Sequence, residues 1–311
     1  MSYSFLRESK LYLVYGGTKY QIRTTSSITF NQTFAEDSYS VKTLHDQSKM
    51  FEGSTITKAN PANVSFEVPL TIEKDESIVL DLISDLVSTA EADIERQQLK
   101  SFDVYVQTGS STFKIENVVV TNGQFNFDRS DQFKVAIEGQ GTKLSRVGDE
   151  SYSIPGSAQS ESSTRTPLQI YPVLTFDSLN MANILSVNLR ISNEVNWTPF
   201  ETLQNSLDVT DSSNAMFPTT YTLGKRTASG AIVQYQTDNN VTQFDDFSTN
   251  SNLIIKAVKI SEASNATPFF QIQLNPVSYT ARMELADVYT QSYDFTSLDN
   301  TALGTRITQY S

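Results

Sequence analysis

SFEVPLTIEKDESIVLDLISDL, residues Ser65–Leu86, runs a strand straight into a helix. Phe66, Val68 and Leu70 alternate with Glu67 and Pro69, the period-two pattern of a half-buried strand. Asp75 stands where a helix N-cap belongs, and Glu76 follows in the first turn, near the positive end of the helix. Ile78, Val79, Leu82, Ile83 and Leu86 recur at helical spacing and form one apolar face. A lone helix with such a face must lie on a sheet, so the stretch predicts a mainly β, α+β fold.

The stretch has a partner later in the chain. Ala231–Phe247, AIVQYQTDNNVTQFDDF, sets Val68 on Val233, Leu70 on Tyr235, Val79 on Phe244 and Leu82 on Phe247. Upstream, Met50-Phe51 falls on Met216-Phe217, Phe34 on Phe200, and Ile28–Phe30 on Val195–Trp197. A near-constant period over three blocks predicts a duplicated domain. The reading is domain 1 over residues 1–147, a Ser/Gly/Thr-rich linker over 148–166, and a diverged domain 2 over 167–311, each domain with one flanking helix.

Composition narrows the function. A chain of 311 residues can bury two cores. It has no cysteine, which excludes disulfides and thiolate metal sites. The first ten residues, MSYSFLRESK, lack the apolar run of a secretory signal, and no stretch approaches the length of a membrane span. Asn31, Asn63, Asn196, Asn240 and Asn265 open Asn-x-Ser/Thr triplets, as expected by coincidence in a chain so rich in these residues. The net charge is −12, and each half carries six more acidic than basic side chains. Such a balance argues against gripping phosphates and suits either ordinary solubility or a surface that nucleic acid slides past.

Along the chain, Lys10–Arg23 reads as a hairpin turning at Gly16-Gly17. Ser26–Phe34 is a strand, and Ala35–Lys58 is a long polar excursion or extended arm. Glu201–Lys225 is its counterpart in the second half. The helix after Asp75 continues towards Gln98. Phe102–Leu144 reads as a meander with Asn122-Gly123 as a turn, one face apolar and the other polar. Leu253–Ile260, Phe269–Leu274 and Ser278–Leu285 close the second half as strands, and Asp299–Ser311 is a polar tail.

No reaction chemistry emerges. His45 is a lone histidine in a polar loop, Asp245-Asp246 and Glu91–Glu95 read as solvated acidic faces, and Trp197 as core. There is no P-loop, GxGxxG, GxSxG or HExxH. The chain therefore reads as a non-enzyme without cofactor or metal. Met50, Phe51, Met216 and Phe217 are either core staples or anchors between subunits.

The order of strand, long loop, SFEVPLT, DESIVLDLISDL and the meander FDVYV…FKIENVVV…GQFNFDRSDQFKVAIEG resembles the major tail tube proteins of long-tailed bacteriophages. The likeness is carried mainly by Ile28–Gly139 and more weakly by Pro167–Phe295. It implies two tandem tail-tube-like β-sandwich or barrel domains, trimeric rings of pseudo-sixfold symmetry, and stacking of rings into a conduit for the genome. The implied partners are further copies of the chain, baseplate or tail-tip proteins, a tail terminator, a tape measure and passing DNA that is not specifically bound. The implied location is the virion tail, with assembly in the host cytoplasm and no membrane. Asp103, Glu116, Asp128 and Glu138, on the polar side of the meander, are candidate lumen residues, with plain solvent exposure as the alternative. A baseplate hub or distal tail protein, and a carbohydrate-binding adhesion protein using exposed tyrosines, are the other two readings.

Overall fold

The computed structural model describes residues 9–23, 27–42, 50–84, 97–127, 132–176, 179–197, 216–240, 251–259, 268–285, 287–297 and 307–309, with side chains omitted at 37, 39, 41–42, 50–52, 55, 57 and 309. The chain is mainly β, with one helix among the described residues. The first half supplies β1 (Lys10–Tyr15), β2 (Thr18–Ile22), β3 (Ser27–Asn31), β4 (Phe34–Lys42), β5 (Met50–Ala59), β6 (Ala62–Pro69), α1 (Ile78–Ser84), β7 (Phe102–Gln107), β8 (Thr112–Phe127), β9 (Lys134–Gly141) and β10 (Leu144–Gly148). Then follow β11 (Ser157–Ala158), β12 (Ile170–Phe176), β13 (Ile184–Trp197), β14 (Tyr221–Tyr235), β15 (Ser251–Lys259), β16 (Phe270–Glu284), β17 (Thr290–Ser297) and β18 (Ile307–Gln309).

The central feature is a run of eight antiparallel strands, β3-β6-β9-β8-β13-β14-β17-β16. Its middle junction, β8 against β13, sews the two halves into one sheet. The two long strands, β8 and β16, behave alike. The first half of β8 pairs with β7 and β10, and its second half with β9 and β13. The first part of β16 pairs with β15 and β18, and its last part with β17. Likewise β6 lies between β3 and β9 as β14 lies between β13 and β17.

One core runs through both halves. Phe125, Phe127 and Phe133 of the first half pack against Phe270 of the second, with their ring centroids 5.3–6.3 Å from its own. Buried Leu11, Leu13, Val104, Leu189, Ile232 and Phe295 belong to the same cluster.

Several expectations meet the structure directly. The hairpin at Gly16-Gly17 forms, with φ of 56° and 77°, the left-handed backbone that glycine adopts without Cβ strain. The long excursion is an antiparallel ribbon of β4 and β5. Asn122-Gly123 is not a turn: β8 runs through it, pairing Gly123 with Ile137 on one side and Ile191 on the other. The glycine is there for packing, because a Cβ at 123 would lie 2.7 Å from Cγ2 of Ile83 on α1. Asp75 does not cap α1 either. Its carboxylate accepts from the Ser162 amide at 3.1 Å and pairs with Arg165, pinning the 157–166 segment to the first half. Gln97 and Gln98 are not helical; residues 85–96, and the second-half helix expected around Phe244 and Phe247, lie outside the described residues. Phe269–Leu274 and Ser278–Leu285 merge into the single strand β16.

The matching of the two halves shifts by a residue. Buried Ala59, Ala62, Val64, Val68 and Leu70 have the spacing of buried Leu223, Arg226, Ala228, Ile232 and Gln234, which sets Val68 on Ile232 and not on Val233. The difference matters because a one-residue slip exchanges the two faces of a strand. With that register, β3 corresponds to 188–192 of β13 and not to Val195–Trp197, since Phe30 pairs with Val64 as Ile191 pairs with Ala228.

Candidate functional site: the polar face of the eight-strand sheet

Alternation buries one face of the central sheet and leaves the other wet. On β3 the wet side chains are Ser27, Thr29 and Asn31, and on β6 Asn63, Ser65 and Glu67. Asn122, Gln124 and Asn126 of β8 lie in rows with Ser192, Arg190 and Asn188 of β13. The rows continue through Ser229 and Ala231 of β14 and Asp294 and Thr296 of β17 to Ser278 and Thr280 of β16. The face thus crosses both halves without interruption.

Its chemistry is hydroxyl and amide. Thr29 and Ser65 share a hydrogen bond of 2.6 Å between their hydroxyls. Asn63 donates to Asn31 at 3.3 Å, Gln140 donates to Asn63 at 3.2 Å, and the indole of Trp197 donates to Gln140 at 3.0 Å. Across the seam between halves, Arg190 Nε donates to Asn122 at 2.7 Å while Asn122 donates to Glu138 at 3.1 Å. Each amide offers both a donor and an acceptor, so such chains satisfy one another along the surface. An open concavity of about 280 Å³ lies on β3, β6 and β9, lined by Thr29, Asn31, Asn63, Ser65, Glu138 and Gln140.

The charges nearly cancel. Glu67, Glu138, Glu284 and Asp294 stand among Lys134, Arg190 and Arg282, with Arg282 paired to Asp294 and Lys134 3.9 Å from Glu67. The chain's acidic excess is therefore not concentrated here.

Of the candidate lumen residues, Glu138 lies on this face. Asp103 and Glu116 lie further along, where β8 meets β7 and β10. Buried Val119, with Leu99 and Leu223, stands between them and the face. Both carboxylates hold Lys114, at 3.1 and 3.2 Å. Burial pushes the Lys114 ammonium down, but hydrogen bonding and attraction from Asp103 and then Glu116 outweigh it and raise its pKa. Asp128 lies outside the described residues.

The interface candidates divide as well. Met50 and Phe51 lie on β5, and their side chains are outside the description. Met216 is exposed, and its carbonyl accepts from the Ala59 amide at 2.8 Å. Phe217 is half-buried, with the Lys143 ammonium 4.9 Å from its ring centre. Trp197 is half-buried at the end of β13, against Tyr221 at 5.3 Å and the small buried cluster of Leu99, Val119 and Leu223. His45, Glu91–Glu95 and Asp245-Asp246 lie outside the described residues. Among the described residues no group of three or more His, Asp or Glu side chains could hold a metal.

A family model of the bacteriophage baseplate tube protein family matches residues 1–305. The chain belongs to that family. It is a structural component of a phage tail or baseplate tube, and a constituent of the virion. No curated protein matches it.

The segment joining the halves is strapped down by a carboxylate that sequence reading passed over. Glu73 accepts from the Thr166 hydroxyl at 2.7 Å, the Thr166 amide at 2.8 Å and the Thr164 hydroxyl at 3.1 Å. The Thr166 hydroxyl, then its amide, lower the Glu73 pKa to about 2. A depressed carboxylate adds stability above its unfolded pKa of about 4.3, and that stability is lost as pH falls through the folded value. The melting temperature of the wild type is thus expected to exceed that of Glu73→Gln above about pH 5, by about 2 °C or less for so open a site. The gap should close between about pH 4.3 and pH 2. A gap that stays constant down to pH 2 would remove this role from Glu73.

Proposed function

We propose that the chain forms trimeric rings in which the polar face of the eight-strand sheet lines a lumen, and that the genome passes through that lumen during infection. The carrying observation is the continuity of that face across the seam of β8 and β13. Three chains bring twenty-four strands. Closed at a spacing of about 4.8 Å and a tilt of about 40°, they make a barrel about 50 Å across at the backbone, wide enough for a hydrated duplex. The matched strand pairing of the two halves supports a duplicated domain, and through it the pseudo-sixfold ring. The protein's role is then mechanical, without turnover of a substrate. Its partners are copies of itself and the neighbouring tail components: baseplate or tail-tip proteins, terminator and tape measure. Assembly takes place in the host cytoplasm before the tail is complete.

A second reading has a specific observation behind it. The family is described by the baseplate, which favours a hub or adaptor ring at the end of the tube over the repeating subunit of its shaft. Negative-stain electron microscopy with mass determination in solution separates the two. Hollow tubes of stacked trimeric rings are the result expected of a shaft subunit, and trimers that never stack that of a hub. Rings of six chains would overturn the pseudo-sixfold account, and a chain that remains monomeric at every concentration would overturn the ring.

A further inference from the structure

We propose that the loop end of the second half is a docking surface for a basic, apolar segment of a different virion protein. Of the nine large apolar side chains exposed among the described residues, five gather there: Leu185, Tyr235, Leu285, Val288 and Tyr289. They stand at the level ends of four neighbouring strands. Ile184 of β13 pairs with Gln234 of β14, Tyr235 with Thr290 of β17, and Thr290 with Glu284 of β16. The Gln236 amide donates to the Tyr289 carbonyl at 2.9 Å, which brings the 285–289 connection against the end of β14. Apolar side chains gathered at one place on a surface mark a site of interaction. The inference does not depend on which face of the sheet lines a lumen.

The first half shows what covers such an end. In the register that sets Val68 on Ile232, Leu70 and Thr71 correspond to Gln234 and Tyr235. Residues 166–168 run across the end of the first half. The Ile72 amide donates to the Thr166 carbonyl at 3.0 Å, the Leu168 amide to the Leu70 carbonyl at 3.0 Å, and the Phe133 amide to the Leu168 carbonyl at 2.8 Å. Thr71 and Leu168 are buried by this contact. Arg165, just upstream, pairs with Asp75 and lies 3.7 Å from Glu76. The cover is thus an extended segment with a leucine and an arginine, laid on apolar and acidic groups. In the second half Tyr235 is 40% exposed, and no described segment runs across it. Its backbone is already served, since the Tyr235 amide donates to the Asn183 carbonyl at 3.1 Å. A partner therefore docks here on side chains and not by adding a strand.

Charge selects the partner. The stretches that build this end, 180–185, 234–240 and 284–290, contain Asp238, Glu284 and Asp287 and no lysine or arginine. All three carboxylates are exposed. An apolar patch set among acids favours a segment bearing Lys or Arg and disfavours an acidic one. A second copy carries a net charge of −12 and is disfavoured on the same ground.

Photo-cross-linking in assembled virions tests this. A benzoylphenylalanine in place of Tyr289 keeps an aromatic ring in the patch. After irradiation, sequencing of the adduct is expected to give a peptide of another virion protein with more Lys and Arg than Asp and Glu. Adding Asp238→Lys, Glu284→Lys and Asp287→Lys to the same chain is expected to lower the adduct by about fivefold or more. Asp287→Lys alone, in the 285–289 connection, is the milder form, with a loss of about twofold expected. An adduct with another copy of this chain, an adduct with an acidic segment, no adduct in intact virions, or a yield indifferent to both charge reversals would each overturn the docking surface. None of these outcomes bears on ring formation, which electron microscopy reads separately.

Discussion

Phe270→Ala is expected to destabilise the whole chain by about 4 kcal/mol and to lower its melting temperature by about 10 °C. Phe270 is fully buried. Its ring lies 5.3 Å from Phe133, 6.2 Å from Phe127 and 6.3 Å from Phe125. Three of the four rings belong to the first half and one to the second, so the cavity left by alanine opens where the halves meet. The backbone is held there on several sides. Phe270 pairs with Ala257 of β15 and Gln309 of β18, which restricts collapse into the void. Because the seam is part of one core, unfolding should remain a single transition that shifts as a whole. Two calorimetric transitions, with only the second displaced, would contradict the shared core. Phe34→Ala, at a position 43% exposed, should change stability by about 0.5 kcal/mol or less and serves as the control.

How far the sequence carries towards this fold depends on the kind of signal. Period-two alternation in 62–69 and 134–138 sits on real strands with one face packed and the other wetter, whereas 102–107 is a strand in which Tyr105 and Gln107, expected on the wet side, are buried along with Phe102, Val104 and Val106. Local rules failed where tertiary contacts had recruited a residue for another purpose. Asn122-Gly123 has the composition of a turn, but the glycine makes room for Ile83. Asp75 has the composition of a cap, but its charge is taken by Arg165, ninety residues downstream. The register of the expected repeat was not legible, since a match of Val68 with Val233 or with Ile232 differs by one residue in sequence and by a whole face in structure. The polar face was half-legible. Glu138 was found by its alternation, whereas Asn122, Arg190 and Gln140 carry no charge pattern or motif that would single them out. They join only when β8 meets β13, and strand order is not written in any local stretch. Lys114 shows why acidic side chains alone misled. Asp103 and Glu116 look like a charged face until the lysine between them is placed.

Lysines on the wet face should turn a non-adhesive surface into one that holds DNA. Gln124, Asn126 and Asn188 are exposed, on adjacent strands, with Asn126 directly opposite Asn188. The triple variant Gln124→Lys, Asn126→Lys, Asn188→Lys adds three positive charges per chain to a face whose acids and bases now nearly balance. In a trimeric ring that makes about nine added cations around one lumen, close to the number of phosphate contacts that costs about 10³–10⁵ in affinity between 50 and 200 mM salt. Assembled variant is therefore expected to retain duplex DNA at 50 mM salt and release it by 200 mM, with a log–log salt slope of about −5 when two thirds of the lysines engage. Assembled wild type should retain none at either salt, because the few cations of the face, Lys134, Arg190 and Arg282, stand among four carboxylates and give no net positive charge to displace the counterions of the phosphates. The same substitutions in unassembled chains, where three lysines act alone, should give a slope no steeper than about −2.7. Wild-type rings that bind duplex tightly would show that the face grips nucleic acid. Variant rings with no gain in binding would show that DNA does not reach it, and the wet face would then belong to the outside of the ring.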